Sequence, residues 1–99
     1  MNIYFRGKEY NEENVNEEFR KITTYEEMEK FKKDFFNAVK MAPYIVPNKN
    51  SWYRWVEFME KIDDTHIKFS VLSSSYPPYS VRRKSSIKEF VKNYYVLVQ

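Results

Sequence analysis

Aromatic side chains dominate the apolar residues of this chain and limit what it can fold into. Phe, Tyr and Trp make up 19 % of its 99 residues, whereas leucine occurs only at Leu72 and Leu97. So many large rings are not typical of a disordered chain. A chain of this length buries roughly two thirds of its unfolded surface, which is enough for one core without a metal or a disulfide. We therefore expect a single domain over residues 1–99, with a core built on aromatic rings.

The chain contains no cysteine, and its first residues lack the long apolar run of a secretory signal peptide. Small secreted domains commonly depend on disulfides, so the lack of cysteine favours a reducing compartment. No stretch approaches the roughly 20 apolar residues of a membrane span. These features predict a cytoplasmic protein that does not enter a membrane.

Charge is unevenly distributed along the sequence. Residues 1–29 contain eight acidic and four basic side chains, a net charge of −4, which leaves +7 for the rest of a chain whose total is +3. The basic portion could attract a polyanion, and the acidic portion could attract a basic surface. Ordinary solvated faces are the simpler explanation of both, so charge alone identifies no partner.

The start of the chain carries the signals of a hairpin and a short helix. Gly7, the only glycine, allows a tight turn between two short strands. Asn11 is placed to cap a helix over residues 12–21. The apolar stripe of this helix consists of Val15, Phe19 and Ile22.

A second helix begins at a capping box formed by Thr24 and Glu27. It is expected to run to about Lys40 and to end before Pro43, since proline disfavours helical geometry in the residue before it. Its buried stripe consists of Tyr25, Met28, Phe31, Phe35 and Val39. Residues 43–51, which include two prolines, are expected to form a loop.

Residues 53–62 are predicted to form a strand, although the apolar residues of this segment also fit a helical stripe. Its aromatic content and a second strand-like run at residues 67–72 favour a hairpin with a turn over residues 63–66. Placing Ile62 opposite Ile67 gives the better hydrophobic match. The core face would then carry Val56, Phe58, Ile62, Ile67, Phe69 and Val71. The other face would carry Tyr53, Trp55, Met59, Lys61, Lys68 and Ser70.

The last third of the chain is predicted to hold a loop, a short helix and a strand. Residues 73–79, rich in serine and proline, form the loop. Ser85 or Ser86 caps a helix that carries Ile87, Phe90 and Val91. The apolar run at residues 94–98 forms a strand covered on both faces. The predicted order is ββ-α-α-β-β-α-β, an α+β fold with a small, mostly antiparallel β-sheet and two to three helices.

Residues that common catalytic sites require are scarce. A single glycine argues against phosphate-cradling loops of the GxGxxG or Walker type, and one histidine without cysteine leaves no usual zinc ligand set. Asp63, Asp64 and His66 are more typical of a hairpin turn than of a metal site. Glu57 and Glu60 would point to opposite faces of a strand, so they could share a substrate only across a bulge. We expect no enzyme activity, no cofactor and no metal, and a carboxylate-based hydrolase is the least favoured alternative.

Two clusters have the composition of a binding surface. Residues 52–55 place three aromatic rings beside a cation, as in protein-interface hot spots and in single-strand nucleic-acid binders. The predicted partner-binding residues are Tyr53, Arg54, Trp55, Met59, Lys61 and Lys68. A second set, predicted to contact phosphate or nucleic acid, consists of Tyr76, Tyr79, Arg82, Arg83 and Lys84. The alternatives are a solvated edge for the basic run and burial in the core for the tryptophans, which we favour for Trp52 and weigh equally for Trp55.

In size and style the chain resembles small accessory proteins of phages and other mobile elements, because it is short, rich in Lys, Asn and Tyr, and without a motif. Many such proteins inhibit host enzymes or defence systems. The resemblance implies a non-catalytic protein that acts by occupying a protein partner. The alternative is a single-stranded nucleic-acid or nucleotide-binding protein that uses Tyr53, Trp55 and the basic run at residues 82–84. The sequence leaves the partner and the oligomeric state open.

Overall fold

The computed structural model describes residues 3–5, 7–36, 44–48 and 52–97. Its helices are α1 (Glu12–Arg20), α2 (Tyr25–Phe31), which continues as a π-helical turn over Lys32–Phe36, and α3 (Ile87–Asn93). Its strands are β1 (Ile3–Phe5), β2 (Lys8–Tyr10), β3 (Tyr44–Pro47), β4 (Tyr53–Asp63), β5 (His66–Ser73), β6 (Ser80–Ser86) and β7 (Tyr94–Leu97). The predicted α+β class is confirmed.

The predicted caps of the first two helices are formed. The Asn11 side chain accepts a hydrogen bond from the Asn14 amide at 2.9 Å. Thr24 Oγ1 accepts from the Glu27 amide at 3.3 Å, as the N-cap residue of a capping box does, and it also donates to Glu27 Oε1 at 2.9 Å. Hydrogen bonds from the hydroxyls of Thr24 and Thr23 hold the pKa of Glu27 below its usual value, and the bond from Thr24 has the larger effect. Local sequence therefore determines where these helices begin.

The predicted cap of the third helix, the Gly7 turn and the terminal strand are also confirmed. Ser86 caps α3, and Gly7 makes the β1–β2 turn with a φ of 74°. The terminal strand forms over Tyr94–Leu97. Three predicted features lie outside the described residues: the helix end near Lys40 and Pro43, Val39 of the second helical stripe, and Val98 of the last strand.

The described strands form three antiparallel sheets, β1–β2, β3–β7 and β4–β5–β6. Two of these strands occupy segments for which the sequence predicted none, so the order is ββ-α-α-β-β-β-β-α-β. β3 lies within residues 43–51, where a loop was expected, and Pro47 is tolerated there because it ends an edge strand. β6 contains the basic run and pairs with β5 throughout its length. An edge strand tolerates such charges because solvent lies beside it.

The β4–β5 hairpin forms as predicted, but most of its ladder is shifted by one residue. Ile67 lies opposite Lys61 rather than Ile62, and Phe58 lies opposite Ser70 rather than Val71. Phe58 and Ile62 are consequently 56 % and 49 % exposed, so their predicted place on the core face is wrong.

Irregular pairing within β4 explains the shift. The register changes between Tyr53 and Val56, between Val56 and Phe58, and again near the turn. A bulge adds a residue to one strand, and the alternation of side chains between the two faces is reset there. Met59, which the sequence assigned to the other face, lies opposite Phe69 and packs against the core.

The buried face of the β4–β5–β6 sheet packs on α3 and β7. The Phe69 ring lies 4.8 Å from that of Phe90 and 5.4 Å from that of Tyr94, and Phe90 lies 6.1 Å from Phe19 of α1. These rings confirm the expected aromatic core. Trp52 is an exception, because it precedes β4 and is 58 % exposed, which contradicts its predicted burial. The core is completed by Val15, Ile22, Met28, Phe31, Phe35, Ile45, Val46, Ile67, Val71, Ile87, Val91 and Val96.

Candidate functional site

One face of the β4–β5–β6 sheet is left open to solvent. Along β5 the side chains of Ile67, Phe69 and Val71 are buried, while those that alternate with them are only half-buried. These alternating residues and their neighbours on β4 and β6 define the outer face. The outer face comprises Phe58, Glu60, Lys68, Ser70, Leu72, Ser80, Arg82 and Lys84.

The register sets two rows of side chains across the outer face. One row runs from Phe58 through Ser70 to Arg82, and the next runs from Glu60 through Lys68 to Lys84. Ser70 is small, so the first row has a low centre between two large side chains. A groove of about 610 Å³ lies there, bordered by Phe58 and by Glu57 on one side and by Arg82 on the other.

The charges along this groove are only partly neutralised. Lys68 Nζ lies 3.9 Å from Glu60 Oε2, and the Ser80 hydroxyl donates to Glu57. Arg82 and Lys84 make no ion pair and no side-chain hydrogen bond with the described part of the chain. Strand β6 therefore presents two cations on the outer face that are available to a partner, and Arg82 lines the groove itself.

Strand periodicity divides the predicted basic run between two faces. Arg83 points the opposite way from its neighbours in sequence, and its Cζ lies 4.6 Å from the centroid of the Tyr53 ring. Its Nη1 donates to the Tyr94 hydroxyl at 3.3 Å. Burial works against the charge of Arg83, but the contacts with Tyr94 and then Tyr53 outweigh it and raise the pKa of the guanidinium. Arg83 thus joins β4, β6 and β7, while Arg82 and Lys84 face solvent.

The first predicted set of binding residues is dispersed by the structure. Tyr53 and Met59 pack against the core. Trp55 is half-buried, with its ring 5.1 Å from that of Tyr44, and Arg54 Cζ lies 6.0 Å from the Trp55 ring. Lys61 lies over the Tyr25 ring and pairs with Asp64 at 3.2 Å. Of that set, only Lys68 belongs to the outer face.

The second predicted set is divided, because Arg82 and Lys84 lie on the outer face, Arg83 lies on the opposite face, and the two tyrosines lie beyond one end of the outer face. Tyr76 is 98 % exposed and Tyr79 is 50 % exposed in the loop between β5 and β6. Trp52 adjoins this loop, since the Ser74 amide donates to the Trp52 carbonyl at 2.6 Å. Three exposed aromatic rings are therefore carried by this end of the sheet.

Sequence reasoning missed Phe58 as a surface residue. A signal for it was present, because Glu60 and Lys68 carry opposite charges on the two strands of the hairpin. Directly opposed residues of opposite charge stabilise a strand pair. Pairing Glu60 with Lys68 would have given the observed register and placed Phe58 on the outer face.

The groups considered for catalysis are engaged in local contacts. Asp63 Oδ1 accepts from the Thr65 amide at 2.9 Å and lies 3.0 Å from His66 Nδ1. Both contacts lower the pKa of Asp63, and the hydrogen bond from the Thr65 amide has the larger effect. Glu57 and Glu60 both border the groove, because the bulge removes the separation expected of a regular strand.

Within the described residues no group of three or more metal-binding side chains occurs. No helix in the described ranges is long and apolar enough to span a membrane.

Comparison with models of known protein families, with curated proteins and with solved structures gave no match. Function is therefore inferred from the geometry of the chain itself.

Proposed function

We propose that this chain is a non-catalytic binding protein whose outer face docks onto a protein partner. The observation that carries the proposal is the exposure of Phe58. Every other phenylalanine with a described side chain is buried or half-buried, yet Phe58 is 56 % exposed on a sheet face. Exposed aromatic residues next to cations are typical of the anchors that dominate protein interfaces.

The surroundings of Phe58 suggest the chemistry of the partner. Ile62, 49 % exposed on the same strand, and Leu72 on the outer face add aliphatic surface. Aliphatic side chains offer no ring on which a base could stack, so they favour a protein partner over nucleic acid. Arg82 and Lys84 have no acidic partner in the described chain, so the complementary surface should carry carboxylates beside an apolar pocket.

Occupation of such a partner is the mode of action that we propose. Small accessory proteins of phages and mobile elements, which this chain resembles in size and style, often inhibit host enzymes or defence systems in this way. The lack of cysteine fits action in the reducing cytoplasm. Inhibition, a phage source and a cytoplasmic location are parts of this proposal.

A single-stranded nucleic-acid binder is the second candidate, and one observation favours it. Arg82 and Lys84 lie on β6. The loop that precedes β6 carries two exposed tyrosines, Tyr76 and Tyr79, and the exposed Trp52 adjoins this loop. Stacking rings beside cations are the elements of a single-strand binding surface. Binding of this kind weakens steeply as salt concentration rises, which separates it from a hot-spot protein interface.

The test is capture from a lysate of the native host cell, with and without nuclease treatment. We expect wild-type protein to retain a specific partner and Phe58→Glu to lose it, because a carboxylate would replace the apolar anchor and repel an acidic surface. Tyr76→Glu is the matched control, since it places the same charge on an exposed aromatic position away from the outer face. Capture that disappears with nuclease, or that Tyr76→Glu abolishes and Phe58→Glu does not, would contradict the protein-docking proposal.

A further inference from the structure

A second concave site lies on the other side of β6 from the outer face. It is a cleft of about 490 Å³ between the end of β3, strand β6 and the junction of α3 with β7. Its polar lining comes from Asn48, Arg83, Lys84, Ser85, Lys92, Asn93 and Tyr94. Neither the protein-docking proposal nor the predicted binding sets account for this combination.

The lining of the cleft is cationic. Arg83, Lys84 and Lys92 come from two elements, and none of the described residues that line the cleft is acidic. Glu89 lies nearby, 3.8 Å from Lys92 Nζ, but both side chains of that pair are about 60 % exposed, so the pair is weak. A guanidinium has five N–H donors, so the contacts of Arg83 with Tyr94 and Tyr53 do not exhaust its capacity. Three cations that line one cleft are suited to a multiply charged oxyanion.

The two asparagines contribute neutral acceptors. The Asn48 side-chain amide donates to the Lys92 carbonyl, and the Asn93 side-chain amide donates to the Glu89 carbonyl at 3.0 Å. Because the nitrogens are used in this way, the side-chain oxygens remain as acceptors. The Asn48 backbone amide also donates to the Asn93 carbonyl at 2.9 Å, which ties β3 to the end of α3 and fixes the walls of the cleft.

We propose that this cleft binds a nucleotide-sized phosphorylated molecule. The cations would bind the phosphate, and the asparagine oxygens would accept from the hydroxyl or amino groups of the rest of the ligand. The volume lies within the roughly 300–1,000 Å³ of typical ligand sites and greatly exceeds the needs of a lone phosphate. This site is independent of docking on the outer face, although Lys84 at the sheet edge borders both.

The test titrates the four common nucleoside monophosphates, inorganic phosphate and adenosine into the full chain, observed by NMR of the backbone amides. We expect at least one monophosphate to shift the amides of residues 83–85 and 92–94, with inorganic phosphate and adenosine binding at least about tenfold more weakly. Lys92→Ala should weaken the monophosphate about tenfold, as expected for a hydrogen bond to a charged group. Arg83→Lys, which keeps the charge but loses the planar fork, should also weaken it.

Lys88→Ala is the control, because Lys88 is an exposed lysine of the same helix that does not line the cleft. It should bind the monophosphate as the wild type does. The proposal is overturned if no monophosphate binds at about 10 mM, a concentration beyond the millimolar end of the affinity scale. It is also overturned if Lys92→Ala and Lys88→Ala bind equally well, or if the shifts fall on the outer face. Binding of oligonucleotides alone would instead favour the nucleic-acid candidate.

Discussion

A single buried asparagine connects the first helix to the last strand. Asn16 on α1 is only 6 % exposed, and its side chain pairs with both polar backbone groups of Val96 on β7. Its Nδ2 donates to the Val96 carbonyl at 2.8 Å, and its Oδ1 accepts from the Val96 amide at 2.7 Å. Buried backbone groups need hydrogen-bond partners. The side-chain amide of Asn16 therefore satisfies both backbone groups of Val96, as the backbone of a paired strand would.

Replacement of Asn16 by alanine should destabilise the protein more than its small change in volume suggests. Each backbone group of Val96 that loses its partner costs about 1–3 kcal/mol of unfolding free energy. Chemical denaturation followed by circular dichroism measures the loss. Asn14→Ala, on the same helix and without a side-chain hydrogen bond to the described residues, is the control and should cost less than about 1 kcal/mol. Equal losses for the two variants would show that the Asn16 pairing contributes nothing specific.

At the scale of elements, local signals and long-range pairing differ in how far they can be predicted. Caps at Asn11, Thr24 and Ser86 involve residues three apart, so the sequence shows where helices begin. β3 was missed because its partner, β7, lies about fifty residues further along the chain. The hairpin register was missed because the bulges in β4 reverse the alternation, and an apolar pattern alone does not locate a bulge.

The observed register predicts opposite roles for two adjacent residues. Met59 packs against the core opposite Phe69, so Met59→Ala should cost about 2 kcal/mol or more of unfolding free energy. Phe58 faces solvent, so Phe58→Ala should cost less than about 1 kcal/mol although it removes the larger side chain. Denaturant titrations of both variants test this directly. The reverse ranking would restore the register in which Phe58 belongs to the core.

At the scale of the whole molecule, the arrangement of layers leaves one sheet face free. The principal extents are 40 × 31 × 20 Å, and the shortest is about two layers of secondary structure at roughly 10 Å each. Helices and the β3–β7 sheet pack on one face of β4–β5–β6, and the opposite face has no covering layer among the described elements. The chemistry of the proposed site, aromatic and basic, was predictable from composition. Its location was not, because the strand register decides which of these residues face outward.

The central claim is that Phe58 anchors a protein partner on this free face. The most direct measurement is the dissociation constant of the purified partner for wild type and for Phe58→Ala. An anchor worth about 2 kcal/mol or more corresponds to roughly a thirtyfold loss of affinity, while the circular dichroism spectrum should stay unchanged. Arg82→Ala should weaken binding less, and salt should have only a modest effect. An affinity that Phe58→Ala leaves unchanged, together with a steep salt dependence, would contradict the claim.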